Sequence, residues 1–284
     1  MLLCKKGLTT NNHSKAKRWL IGPCLIVTLI ASFTTTSDIA HAKDLRFLIQ
    51  PIQSPEHTKK FYRPLAEYLS HATGMTVKII AVSNFQAYWE IMKRAKDYDL
   101  IMDAAHFTDY RLKHLGFSLL AKVPDVVSYT VVTDEKNFVL EPRELIGKTI
   151  ATMSSPSLGG IRLAELFPNP MRQPIIIETS NSEEAIKKVH AGTAVAAIVP
   201  TPLLNNLSGL NTVFITEQVP HVAVSASPSV NEPMRDAIKK ALLNANKTSE
   251  GKEMLNAIQF AGFENANEKL YDGYAHLLES VWGY

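Results

Sequence analysis

Apolar positions along this chain alternate between two spacings, short continuous runs and stretches with hydrophobic residues three or four apart. Residues 45–49 form a compact apolar run that stops at Gln50-Pro51-Ile52-Gln53-Ser54-Pro55, the pattern of a buried strand followed by a loop. From about residue 57 the spacing becomes helical, with Phe61, Leu65, Tyr68 and Leu69 on one face and Gly74 as a stop signal. A strand over 77–82, a helix over 85–95 (Tyr88, Ile91, Met92, Ala95) and a strand over 99–102 follow. This β-α-β-α-β order predicts right-handed crossovers and a mostly parallel sheet covered by helices.

A loop and a helix through 115 lead to strand-like segments at 117–123 and 126–133, and there the pattern restarts. A short helix at 141–145, a strand at 148–153, a helix at 161–167, a strand at 175–177, a helix at 182–191 and a strand at 194–199 complete a second set. Two such sets predict two lobes. The remainder offers a strand at 213–215, an extended piece at 222–225, and helices at 232–246, 249–258 and 267–281. No heptad, low-complexity tract or sequence repeat is seen.

The first 42 residues change the picture of composition. Lys5, Lys6, Lys15, Lys17 and Arg18 precede an apolar run from Trp19 to Phe33, and Ala40-His41-Ala42 closes the segment. Basic start, short apolar middle and small residues at the A-x-A spacing predict a signal peptide cleaved after Ala42 and a mature chain that begins at Lys43 outside the cytoplasm; an uncleaved anchor is the competing reading. Cleavage removes Cys4 and Cys24, the two cysteines of the sequence, so disulfides and Cys-based metal or nucleophile chemistry are excluded from the mature chain. It also removes five basic residues and one acidic, taking the formal net charge from +3 to −1. A mature chain without a basic tract lacks the footprint of a nucleic-acid or anionic-membrane partner.

In parallel α/β sheets ligands gather at the carboxyl ends of strands, where helix N-termini present unpaired N–H groups. Five such places carry candidate ligand-binding residues. The loop 154–160 offers Ser154, Ser155 and Ser157 ahead of Gly159-Gly160, a set of hydroxyls and bare amides able to surround an anion; a single serine there could equally be a helix cap. Asp103 and His106 follow the strand at 99–102, with helix capping as the alternative for both. Gln53 and Ser54 follow the first strand. Tyr88, near Phe85 and Trp89, is a ligand wall or ordinary core. Thr201 and His221 complete the set.

Catalytic signatures are missing: there is no G-x-S-x-G elbow, no H-E-x-x-H, no Walker loop and no G-x-G-x-x-G. The mature histidines 57, 71, 106, 114, 190, 221 and 276 have no metal-site spacing. No catalytic residue, metal or cofactor is expected. A secreted hydrolase would need a histidine within hydrogen-bond reach of a hydroxyl in the serine loop, and a ligand-free interaction protein would need a cleft filled by side chains.

Four stretches carry a resemblance to a known family: Arg46-Phe47-Leu48-Ile49-Gln50-Pro51-Ile52-Gln53-Ser54; Tyr98-Asp99-Leu100-Ile101-Met102 with His106-Phe107-Thr108; Leu145-Ile146-Gly147-Lys148-Thr149-Ile150-Ala151; and Glu250-Gly251-Lys252 through Ala261-Gly262-Phe263. In order and spacing they resemble the periplasmic solute-binding proteins of phosphate, phosphite and phosphonate ABC transporters, within the type II periplasmic-binding-protein superfamily. The resemblance implies an α/β, two-lobed fold, each lobe a mostly parallel sheet flanked by helices, joined by a two-stranded hinge. The lobes would be 43–128 plus 222–284, and 129–221. It implies a small anionic solute held between the lobes, with Ser154, Ser155 and Ser157 at the place where the family grips phosphonate oxygens. The partner would be an ABC permease, or a sensor kinase reading the closed form, and the protein a monomer not embedded in the membrane after cleavage. Two departures bear on the ligand. Pro156 and Leu158 interrupt the hydroxyl run, and where the family offers acidic residues to a ligand amine this chain has Thr179-Ser180-Asn181-Ser182 and Pro200-Thr201-Pro202. An oxyanion without an amine fits better, and Asp103 would suit one that keeps a proton.

Overall fold

A computed structural model gives the fold of the protein and describes residues 44–279 and residue 281. The expected signal peptide lies outside the described residues.

The first strand, β1 (Leu45–Ile49), has Phe47, Leu48 and Ile49 at no more than 1% exposure, so successive side chains on both faces are covered, as a central parallel strand requires. Helix α1 (Pro55–Thr73) starts where the sequence supplies both signals, Ser54 accepting from the His57 N–H and Pro55 in the first turn, and ends on Gly74 at φ 68°. Next come β2 (Val77–Ala81), α2 (Phe85–Arg94, capped by Asn84), β3 (Leu100–Asp103), α3 (Ala105–His114) and β4 (Ser118–Lys122).

The expected continuous strand over 126–133 is two strands, β5 (Val126–Val127) and β6 (Tyr129–Asp134), broken at Ser128. β7 (Thr149–Met153), α4 (Leu158–Leu166), β8 (Ile175–Thr179), α5 (Ser182–His190) and β9 (Ala196–Pro200) follow. β10 (Leu210–Ile215) is longer than its apolar run; β11 (Val219–Pro220), β12 (Ala223–Ala226), α6 (Glu232–Asn244) and α7 (Ser249–Ala257) complete the regular elements. The expected helix over 267–281 is instead two 3-10 turns, Glu268–Leu270 and Tyr274–Leu278. Gly273 stands between them at φ 94°, a conformation no helix interior accepts, and the segment is shaped by packing on α3 through Tyr271, Ala275 and Leu278.

Two five-stranded sheets result, ordered β2-β1-β3-β12-β4 and β10-β6-β9-β7-β8. In each, one strand runs against the rest: β12 is antiparallel to β3 and β4, and β6 to β9 and β10. Both reversed strands adjoin the passages between the sheets. β5 and β11 form a separate antiparallel ribbon, Val127 opposite Val219 and Val126 opposite Pro220. Phe47, Ile49, Leu65, Leu69, Met102 and Val224 anchor the core of the first sheet, and Val132, Ala151, Ala185, Val189 and Ala197 lie in that of the second.

Candidate functional site

The carboxyl ends of β1, β3 and β7 meet across the boundary between the two sheets. The Ser182 N–H donates to the Ile52 carbonyl at 3.0 Å, His106 Nε2 lies 3.0 Å from the Pro156 carbonyl, and His57 Nδ1 lies 2.7 Å from Glu183 Oε1. Met153, at the end of β7, packs in one cluster with Tyr88, Trp89 and Phe107 of the first sheet's helices.

Beside these contacts lies a cleft of about 530 Å³. The first sheet contributes Gln50, Gln53 and Ala104 from its strand ends and Thr58, Phe61 and Tyr62 from α1. The second contributes Tyr129, Pro200 and Pro202, while Val126, Val127 and His221 come from the ribbon and its flank. Ala104 is the N-cap of α3, and no side chain caps that helix. The positive dipole end of α3 therefore begins at the cleft wall, with the Ala104 N–H itself donating to Gln50 Oε1 at 3.2 Å.

Of the residues singled out from sequence, Gln53 and His221 line this cleft. His221 has a fixed tautomer: Nδ1 accepts the Val222 N–H at 2.8 Å, so the neutral ring carries its proton on Nε2. Burial, reinforced by the Lys122 charge, lowers its pKa to about 4 and keeps it neutral. Ser54 caps α1 from the adjoining loop.

His106 is completely buried. Burial lowers its pKa to about 4, with the hydrogen bond to Pro156 only partly offsetting it, so Nε2–H donates to the carbonyl. Among the described residues Nδ1 is left as a buried acceptor without a partner.

Asp103, the last residue of β3, and Tyr88, in α2, are buried and lie outside the cleft lining. Arg111 grips Asp103 with both terminal nitrogens, Nη2 at 2.7 Å from Oδ1 and Nη1 on Oδ2. Tyr88 donates to Oδ2 at 2.5 Å and Thr108 to Oδ1 at 3.2 Å. Burial, with the neighbouring carboxylate, pushes the Tyr88 phenol well above its usual range, so it stays a donor. Asp103 thus does not cap α3, and its oxygens already accept four protein hydrogen bonds. Arg111 carries no signal in the sequence beyond being a basic residue about two turns after Asp103.

The serine loop is divided. Ser157 is buried and caps α4, accepting the Gly160 N–H at 3.0 Å and donating to the Met153 carbonyl at 2.7 Å. Ser154 and Ser155 border a separate 130 Å³ pocket with Gln173 and Glu178, not the large cleft. The two glycines serve close packing. A Cβ on Gly160 would sit 2.8 Å from the Met153 carbonyl oxygen, and one on Gly159 3.2 Å from the Tyr129 ring. Thr201 is held by hydroxyl contacts of 2.8 Å to both Ser128 and Thr130, tying the end of β9 to β6. Among the described residues no group of acidic, His or Cys side chains could hold a metal, and no helix is long and apolar enough to cross a membrane.

Residues 47–271 match the family model described as ABC transporter, phosphonate, periplasmic substrate-binding protein. The chain belongs to this family. No curated protein matches it in sequence. Among solved structures, this family member is similar to PhnD1 from Prochlorococcus marinus in complex with methylphosphonate, with a TM-score of 0.73 at 19% identity over 84% of this chain and 98% of that one. A binding-protein component of an ABC phosphonate transporter from Pseudomonas aeruginosa gives 0.69 at 12% identity over 81% and 83%, and a Xanthomonas citri protein bound to ATP gives 0.63 at 13% over 84% and 98%. At these identities the likeness is one of fold: two lobes, each an α/β sheet. Family membership assigns the role, that of the substrate-binding component of an ABC transporter, a class exported to the periplasm that delivers its ligand to a membrane permease.

Proposed function

We propose that this binding protein captures a solute carrying a small oxyanion in the cleft between its two lobes, and that the lobes, 43–128 plus 222–284 and 129–221, close on it by bending at the β5/β11 ribbon. The observation that carries this reading is the N-terminus of α3, which no side chain caps and whose N-cap residue Ala104 lines the cleft. An oxyanion drawn to the positive end of this helix can accept from first-turn N–H groups that no side chain has taken. Charge-assisted hydrogen bonds of this kind need no Lys or Arg, and the described residues lining the cleft include neither. In this reading the protein acts as a monomer after cleavage of residues 1–42 and passes the solute to its permease.

The test is a thermal-shift series on the mature chain, freed of bound solute by unfolding and refolding, with phosphate, phosphite, methylphosphonate, phenylphosphonate and sulfate. A ligand at 100 times its Kd adds about 2.7 kcal/mol of stability. If no oxyanion raises the melting temperature, the reading is wrong.

A further inference from the structure

The cleft is far larger than a tetrahedral oxyanion needs. Its 530 Å³ falls in the range of about 300–1,000 Å³ typical of sites that enclose whole organic molecules. Its wall is a run of rings from three separate parts of the chain. Phe61 and Tyr62 meet edge-to-face with centroids 5.0 Å apart, Tyr62 and Phe260 lie 6.2 Å apart, and Phe260 and His221 again 6.2 Å apart at 71°. Phe260 reaches this place because the chain leaves α7 through Gln259 at φ 55°, with the Phe260 N–H bonded to the Leu255 carbonyl.

The polar side chains among these rings are neutral and unspent, and the charged residue among those lining the cleft, Asp125, is a carboxylate on the His221 side. The Tyr62 hydroxyl and the Gln53 amide make no hydrogen bond among the described residues. His221 has Nε2–H free once Nδ1 has taken the Val222 N–H, and Gln50 uses only its oxygen, on the Ala104 N–H, leaving its amide hydrogens. Apolar faces rimmed by neutral donors and acceptors match a flat heteroaromatic ring, whose faces stack and whose edge atoms hydrogen-bond. A purely aliphatic group would leave those donors unpaired once water is expelled, and a second strong charge would find no counter-ion of positive sign.

We propose that the solute bears a planar aromatic or heteroaromatic group, seated on the Phe61–Tyr62–Phe260–His221 wall, in addition to the oxyanion at α3. This proposal rests on the oxyanion reading for one end of the ligand and adds the chemistry of the other.

The experiment is calorimetric titration of the refolded mature chain with two ringless probes, inorganic phosphate and methylphosphonate, two ring-bearing probes, phenylphosphonate and adenosine 5′-monophosphate, and one uncharged ring, adenosine. At least one ring-bearing oxyanion is expected to bind about tenfold or more tightly than either ringless probe, as stacking predicts. Phe260→Leu, which keeps apolar bulk without the ring, should remove most of that advantage, read as the ratio of ring-bearing to ringless affinity within the same variant; Tyr62→Leu serves the same purpose should the first variant not fold. Ringless probes binding as tightly as the ring-bearing ones, or an advantage untouched in both leucine variants, would overturn the ring proposal and leave the oxyanion reading standing. Adenosine binding as tightly as its monophosphate would do the reverse. Failure of all five probes to bind would overturn both.

Discussion

Arg111 and Asp103, eight residues apart in sequence, form a two-pronged ion pair with both side chains at 0% exposure. A fork-shaped guanidinium matches a carboxylate geometrically, and Tyr88 and Thr108 supply further donors, so both carboxylate oxygens are hydrogen-bonded where water cannot reach. The pair ties the end of β3 to the middle of α3, the helix whose N-terminus opens on the cleft.

Breaking this pair should be costly. Arg111→Met leaves a buried carboxylate without its counter-ion, a change expected to cost about 3–5 kcal/mol. The double variant Asp103→Asn/Arg111→Met should recover part of that loss, since it leaves no charge behind. Urea denaturation measures both, and a loss below about 1 kcal/mol for Arg111→Met would contradict the account.

His106 predicts a specific pH dependence. Its pKa is about 4 in the folded protein against 6.5 when free, so between those values the unfolded chain binds more protons. Stability is fully present above about pH 6.5 and falls as the pH drops toward 4, by about 3 kcal/mol from this residue. His106→Gln keeps a donor for the Pro156 carbonyl but cannot titrate. Its loss of stability between pH 7 and pH 4.5 should be smaller than that of the parent, and equal slopes would refute the assignment.

Ser157→Ala removes the cap of α4 and leaves the buried Met153 carbonyl with the longer Thr152 hydroxyl contact, 3.2 Å, in place of the 2.7 Å one. The expected cost is about 1–3 kcal/mol. Because the hydroxyl is spent inside the loop, affinity for an oxyanion should change less than about twofold. A tenfold loss of affinity in a variant that folds normally would instead place Ser157 on the ligand.

Gly160→Ala should destabilise by about 1–3 kcal/mol, since its Cβ would crowd backbone rather than a side chain that can swing away. Thermal denaturation of the variant checks this; an unchanged melting temperature would show that the first turn of α4 can shift.

The sequence by itself determined most of the local structure. Spacing and punctuation placed β1, α1 and the β-α-β-α-β order of both halves, because Ser54, Pro55 and Gly74 act through bonds a few residues long. It failed over 267–281, where apolar spacing reflects packing against α3 and not a helix face, and at Ser128, where the backbone leaves one sheet for another without a turn residue. The candidate site was legible as loops and not as roles. Asp103 ends β3 and Ser157 follows β7, yet whether the carboxylate or hydroxyl is free is decided by partners eight and four residues away that only the folded helix and loop bring to them. Arg111 takes Asp103, and the Met153 carbonyl takes Ser157. The ring wall was wholly a product of tertiary structure: Tyr62, His221 and Phe260 lie in three separate stretches of the sequence, and only the folding of α7 against α1 beside the ribbon brings their rings together.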